Sequence, residues 1–192
     1  MPGSGPDHSK LYDSPSVYGW ISILLHWLTT AIVIALWFIG KSIGTVPAEL
    51  LESRRALHVS IAMTAWLILA FRIAWRVRSR HPRVRGQSLR IHRIARGTHY
   101  TMLVLLALML LSGPLLAWSG GRPINVFGIV SLPSPLGASE SVSIIAGAVH
   151  GNAALLLLLL TIVHIGGALK HLMFHSDDTI VRMIWPGKAD DP

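Results

Sequence analysis

Ten histidines and no cysteine stand in a chain of 192 residues, of which 52% are hydrophobic and 14% charged. Without thiols, disulfides, cysteine-held iron–sulfur clusters and the C-x-x-C-H attachment of a c-type haem are excluded, so any metal centre must use histidine or oxygen ligands. Four of the histidines, His26, His58, His150 and His164, fall inside long apolar stretches. An ionisable ring within a membrane is costly, so each needs a partner or a ligand role. His150 and His164 are 14 residues apart. On a helix of about 3.6 residues per turn that separation leaves them about 40° apart around the axis and about 21 Å apart along it, so one helix presents two imidazoles on one face. His26 lies eight residues past Tyr18 and His164 six residues before Lys170, which places both roughly 9–12 Å from the same boundary. His58 and His150 share the opposite half.

Two separated two-histidine sites do not make the tetrahedron that zinc usually requires. They suit two low-spin haems, each held between two imidazoles and stacked across the bilayer. The absence of carboxylates among these rings argues against a proton relay or a hard-cation transporter. Gly147, Gly151 and Ala154 beside His150, and Gly166, Gly167 and Ala168 beside His164, offer room for a flat macrocycle. His99 and His171 compete for the inner haem. His99, Lys170, His171 and Arg72 form a secondary set for propionate or quinone contacts, whereas His8, His81, His92 and His175 read as solvated or interfacial. A plainer reading, a helical scaffold or transporter whose histidines only hydrogen-bond, accounts for any single ring.

The elements that position these rings are four apolar spans, at about 18–40, 56–75, 98–118 and 142–169. Each is long enough to cross a hydrocarbon core of about 30 Å as a helix, the form that satisfies its own backbone in lipid. The expected fold is all-α, a single integral membrane domain built as a four-transmembrane-helix bundle. The first span is too long for a signal-peptide core, and the polar stretch before it has no basic cluster, so it reads as an uncleaved anchor.

The formal net charge is +8, and from Arg72 to Arg96 there are nine arginines and no acid. Excess Lys and Arg marks a cytoplasmic loop, here 76–97. The other connections, Lys41 to Arg55 and 119–141, are nearly balanced in charge and belong outside. Both termini are then cytoplasmic. The arginines thus have a topological role with anionic lipid, and a nucleic-acid partner is not expected. The Gly- and Pro-rich segment Gly120 to Gly137 is expected on or dipping into the outer interface, either as a cover for a site or as a connector. Most tryptophans read as interfacial anchors, and Trp27 packs on a haem edge or on lipid.

The chain resembles the bacterial cytochrome b561 family, di-haem b proteins of the inner membrane, nearly end to end from Tyr18 to Lys188. The resemblance rests on LLHWL around His26, LHVSIA and FRIAWR around His58 and Arg72, and HY at His99. It continues through SGPLLAWSGGRPINVFG at Ser112 to Gly128, HGNAALLLLLLTIVHIGGALKH from His150, and DDTIVRMIWP. It implies two haem b per chain, one between His26 and His164 and one between His58 and His150. It also implies an oxidoreductase or electron carrier working between a small reductant and ubiquinone or another quinone. In at least one branch of the family that reductant is superoxide. The alternative is a haem-b membrane subunit relaying electrons to quinone from a dehydrogenase or hydrogenase partner. Similar proteins often carry a glutamate directly after the fourth helix's first histidine. Here Gly151 stands in its place, so a proton-handling role for that acid does not transfer.

Overall fold

The computed structural model describes residues 10–15, 17–79, 82, 89–174 and 180–186. Four helices dominate it: α1 Trp20–Ile43, α2 Ala48–Arg78, α3 Leu89–Trp118 and α4 Glu140–Phe174. Each contains a window apolar enough to cross a membrane. The sides of the helices turned away from the bundle carry large apolar residues, with Leu67 73% exposed and Leu24 and Phe38 each 68% exposed. Such a surface is compatible with lipid and not with water. The chain is a multi-pass, all-α membrane bundle.

The helices outrun the apolar stretches that identify them. α2 begins at Ala48, within the connection read as Lys41 to Arg55, and ends at Arg78, while α3 begins at Leu89. The stretch read as a loop at 76–97 is therefore helical at both ends, because backbone hydrogen bonding continues into arginine-rich turns that hydropathy alone marks as polar. His8, His81 and His175 lie outside the described residues.

The most extensive packing joins α3 to α4 and α1 to α2, and α2 joins α3 less extensively. The backbones of α1 and α4, and of α2 and α4, approach one another less closely than these pairs. Every helix carries an inward register of seven residues: His26, Val33 and Gly40; His58, Ala65 and Arg72; His99, Leu106 and Gly113; His150, Leu157 and His164. A spacing of seven is nearly two turns, so each set stays on one face with a drift of about 20° per step. At mid-depth the middle members meet. Ala65, Leu69 and Leu106 form one buried cluster with Val33 against it, and Leu105, Ala153 and Leu157 form another that also touches Val33.

Pro114 sits inside α3. Lacking an N–H, it leaves the carbonyl of Leu110, four residues earlier, without its helical donor. Trp66 Nε1 donates to that carbonyl at 3.0 Å, so α2 repairs the defect in α3.

At one end of the bundle a small antiparallel hairpin pairs β1 Ile124–Val126 with β2 Val130–Leu132. Its turn is closed by Ile129 N–H donating to the Val126 carbonyl at 3.0 Å. The central residues, Phe127 at φ 51° and Gly128 at φ 70°, are both left-handed, as the tight turn of a twisted hairpin demands. The Phe127 N–H donates to Ser60 Oγ at 2.9 Å, which ties the hairpin to α2 two residues from His58. The segment from Gly120 to Gly137 is thus fastened to α2 through its hairpin.

At the opposite, terminal end, Asp13 organises the entry to α1. Its carboxylate accepts from Gly19 N–H at 2.8 Å and from Ser22 Oγ at 2.7 Å. Trp75 Nε1 donates to the same Ser22 oxygen at 2.8 Å. Arg76 lies 3.9 Å from the carboxylate, with both side chains buried, and its guanidinium also covers the Tyr18 ring at 5.3 Å. After α4, a 3₁₀ turn at Val181–Met183 returns to α1, where Trp27 Nε1 donates to the Met183 carbonyl at 2.6 Å.

The Trp66 hydrogen bond gives the first test. Trp66→Phe lowers stability in detergent by roughly 1 kcal/mol, in keeping with interhelical hydrogen bonds in membranes. In a Pro114→Ala background, where the restored N–H satisfies Leu110, the same substitution costs less. Equal losses in both backgrounds, measured as a double-mutant cycle of denaturation midpoints, would remove the hydrogen bond as the cause.

Candidate haem sites

α4 brings two of its histidines to two different helices. The rings of His58 on α2 and His150 on α4 are 6.3 Å apart between centroids at 83°. Those of His26 on α1 and His164 on α4 are 6.2 Å apart at 65°. All four side chains are half-buried. A metal bonded at about 2 Å to one nitrogen of each of two opposed imidazoles holds the ring centroids roughly 6 Å apart. Both pairs have that separation, and both span seams where the helix backbones do not pack closely.

His99, on α3, joins the terminal-end layer. Its ring is 5.1 Å from that of His164 at 68°, too short for two imidazoles on opposite faces of one macrocycle. The His26 distance fits that arrangement and the His99 distance does not. Arg72 shares the layer and acts electrostatically on both His26 and His99. Lys170 is exposed on α4 beyond His164. His171 is in α4, but its side chain falls outside the described residues. Trp27 sets its ring edge-on to His26 at 5.4 Å, so it packs beside the site and is not simply lipid-facing.

At the hairpin end, glycines admit the imidazoles. A Cβ at Gly40 of α1 would lie 3.1 Å from His58 Cε1, and one at Gly113 of α3 would lie 3.3 Å from His150 Cε1. The glycines singled out beside the α4 histidines behave differently. A Cβ at Gly151, Gly166 or Gly167 meets nothing within 4 Å, and one at Gly147 meets Leu116. Gly40 and Gly113 escaped the sequence reading because neither is near a histidine in the chain. Each stands 14 residues after one, His26 and His99 respectively, and that spacing was the available signal.

Polar neighbours complete this end. Ser112 Oγ lies 3.2 Å from His150 Nδ1. His58 Nδ1 is buried without a closed hydrogen bond, although the Leu36 carbonyl of α1 faces the ring. Among the described residues no three metal-ligating side chains gather as a bare ion would need. Paired imidazoles alone suit a metal that brings its own equatorial ligands, as iron porphyrin does. The residues present therefore fit haem.

Residues 17–186 match the sequence profile of the family described as prokaryotic cytochrome b561. The chain belongs to that family. It is also 32% identical over 181 residues to Cytochrome b561 homolog 2 of Escherichia coli (strain K12), an alignment covering 93% of this chain and 96% of the relative. Membership in the cytochrome b561 family makes this bundle a membrane haem-b protein of electron transfer.

The packing at the hairpin end generates a second test. Gly40→Val and Gly113→Val each push a side chain into an imidazole and should lower the haem bound per polypeptide. Gly120→Ala, where a Cβ meets nothing within 4 Å, should leave it unchanged. Full haem content in both valine variants, measured by pyridine haemochrome against protein, would show that the rings tolerate displacement.

Proposed function

We propose that this cytochrome b561 family member carries electrons between a small reductant and the quinone pool with two haem b groups per chain. His26 and His164 hold one, and His58 and His150 hold the other. The single observation behind this reading is the pair of imidazole separations, 6.2 and 6.3 Å, each reaching from α4 to a different helix. Bound haem b supplies reversible one-electron chemistry.

The chain's own residues set the geometry and the surroundings of that chemistry. α4 fixes the spacing between the sites, while α1 and α2 each complete one of them. Arg72 and Arg76 add positive charge near His26, suited to propionate carboxylates. His99, Lys170 and His171 are secondary candidates for propionate or quinone contact at the same end. The arginine-rich turns at the terminal end support a cytoplasmic placement of both termini in a bacterial inner membrane, with the hairpin outside.

Superoxide is the reductant suggested by the family resemblance. Two superoxide ions give two molecules of oxygen, and their two electrons with two protons reduce one quinone to the quinol. Lys41, Arg54, Arg55 and Arg122 are the outer bases available to attract such an anion. Arg55 is paired with Glu52 at 3.0 Å, which weakens that field. A second reading, a haem subunit fed by a dehydrogenase or hydrogenase partner, draws on the exposed apolar hairpin tip, where Phe127, Ile129 and Val130 are 54%, 85% and 50% exposed. That surface suits either a docked protein or the lipid interface.

A redox-titrated absorption spectrum of the purified chain, with a haem count, tests the core of the proposal. Two haems are expected. His26→Ala and His164→Ala should perturb one of them, and His58→Ala and His150→Ala the other. If His26→Ala and His58→Ala act on a common haem, the assignment fails. Superoxide-driven quinone reduction by the isolated chain, slowing as salt screens the approach, supports the first reading, and an obligatory co-purifying redox subunit supports the second.

A further inference from the structure

Ser112 is 3% exposed on α3, in the turn that faces His150. Its hydroxyl has one proton, and the oxygen lies 2.6 Å from the Leu108 carbonyl and 3.2 Å from His150 Nδ1. The carbonyl has no proton to give, so the short contact must be the one in which serine donates. Lone pairs are then what the oxygen presents to the imidazole. For the second contact to be a hydrogen bond, Nδ1 must carry the ring proton, which leaves Nε2 with the lone pair that binds a metal.

We infer that Ser112 is a positioning residue for His150: it accepts the Nδ1 proton, holds the ligating tautomer, and lowers the reduction potential of the haem at the hairpin-end pair. The inference rests on the two-haem reading proposed above. An acceptor on the far nitrogen of a metal-bound imidazole raises its basicity and favours the more positive ferric iron. Gly113, the next residue, lets the α3 backbone lie against the same ring, so one turn of α3 sets both its place and its protonation.

The terminal-end pair has different neighbours. Among the described residues no side chain hydrogen-bonds to the rings of His26 or His164, while Arg72 and Arg76 act electrostatically on His26. The Asp13 carboxylate, 3.9 Å from Arg76, offsets part of that charge. The two sites thus differ in their surroundings although both present two imidazoles.

Potentiometric titration of the purified holoprotein, followed by absorption and by the low-spin ferric signals in electron paramagnetic resonance, tests this. In Ser112→Ala one midpoint should move upward, that of the haem perturbed by His150→Ala, while the other stays. Ser112→Thr, which keeps the hydroxyl, should hold the wild-type value. Loss of that haem from Ser112→Ala with retention in Ser112→Thr also supports the assignment. Unmoved midpoints, a downward shift, equal shifts of both haems, or loss of the haem from both variants would overturn it. A wild-type preparation lacking two haems defeats the underlying reading, whereas two intact haems with unmoved midpoints in Ser112→Ala defeat this inference alone.

Discussion

Placing imidazole rings within a lipid-spanning bundle is the constraint on which the rest of the molecule depends. A buried polar ring in hydrocarbon is expensive unless something satisfies both of its nitrogens. This chain gathers its rings around one helix that presents two of them, 14 residues apart, on one face. α4 offers His150 near one end and His164 near the other, and α2 and α1 each answer with one ring. α3 packs along α4 and contributes no member of either 6 Å pair, yet it supplies Ser112, Gly113 and His99 to the surroundings. The seven-residue register shared by all four helices lets these contributions fall into layers.

The ends of the bundle are built from different chemistry. Beside the histidines of the hairpin end the contacts are neutral: Ser60 holds Phe127 and Ser112 approaches His150. At the terminal end, charge dominates, and it is compensated with care. The Asp13 carboxylate takes hydrogen bonds from Gly19 and Ser22 and has Arg76 beside it, while Trp75 reaches the same serine. Removing one member of such a buried network leaves the others desolvated and unsatisfied, so it acts as a unit. It also anchors the segment before α1 against the last turns of α2, close to the Arg72 layer.

Much of this was legible in the sequence, and the limits have a physical explanation. Uncharged runs of helical length announce themselves through the cost of charge in lipid, and the fourteen-residue interval between His150 and His164 places two rings on one face before any partner is known. Depth then suggests which rings lie at one level. It does not say which neighbours surround them. Gly40, Gly113 and Ser112 have no chemistry of their own to draw notice, and their importance comes only from the register of one helix against another. Arg76 read as part of a solvated basic loop because hydropathy sees its charge but not the Asp13 carboxylate that receives it, 63 residues earlier in the chain. The hairpin was missed as a hairpin because a positive φ at Phe127 runs against the preference of that residue, and the Ser60 contact that holds it there is long-range.

The apolar layer between the two histidine levels bears on what could cross the bundle. Val33, Ala65, Leu69, Leu106 and Leu157 meet at mid-depth and offer no hydroxyl, amide or carboxyl on which a chain of water could assemble. Electrons can tunnel across such a layer between conjugated rings, whereas a proton needs a continuous relay of hydrogen-bonding groups. If each histidine level holds a haem, as proposed above, the bundle would be a wire sheathed in its own insulation, passing reducing power along its length while giving protons no path beside it.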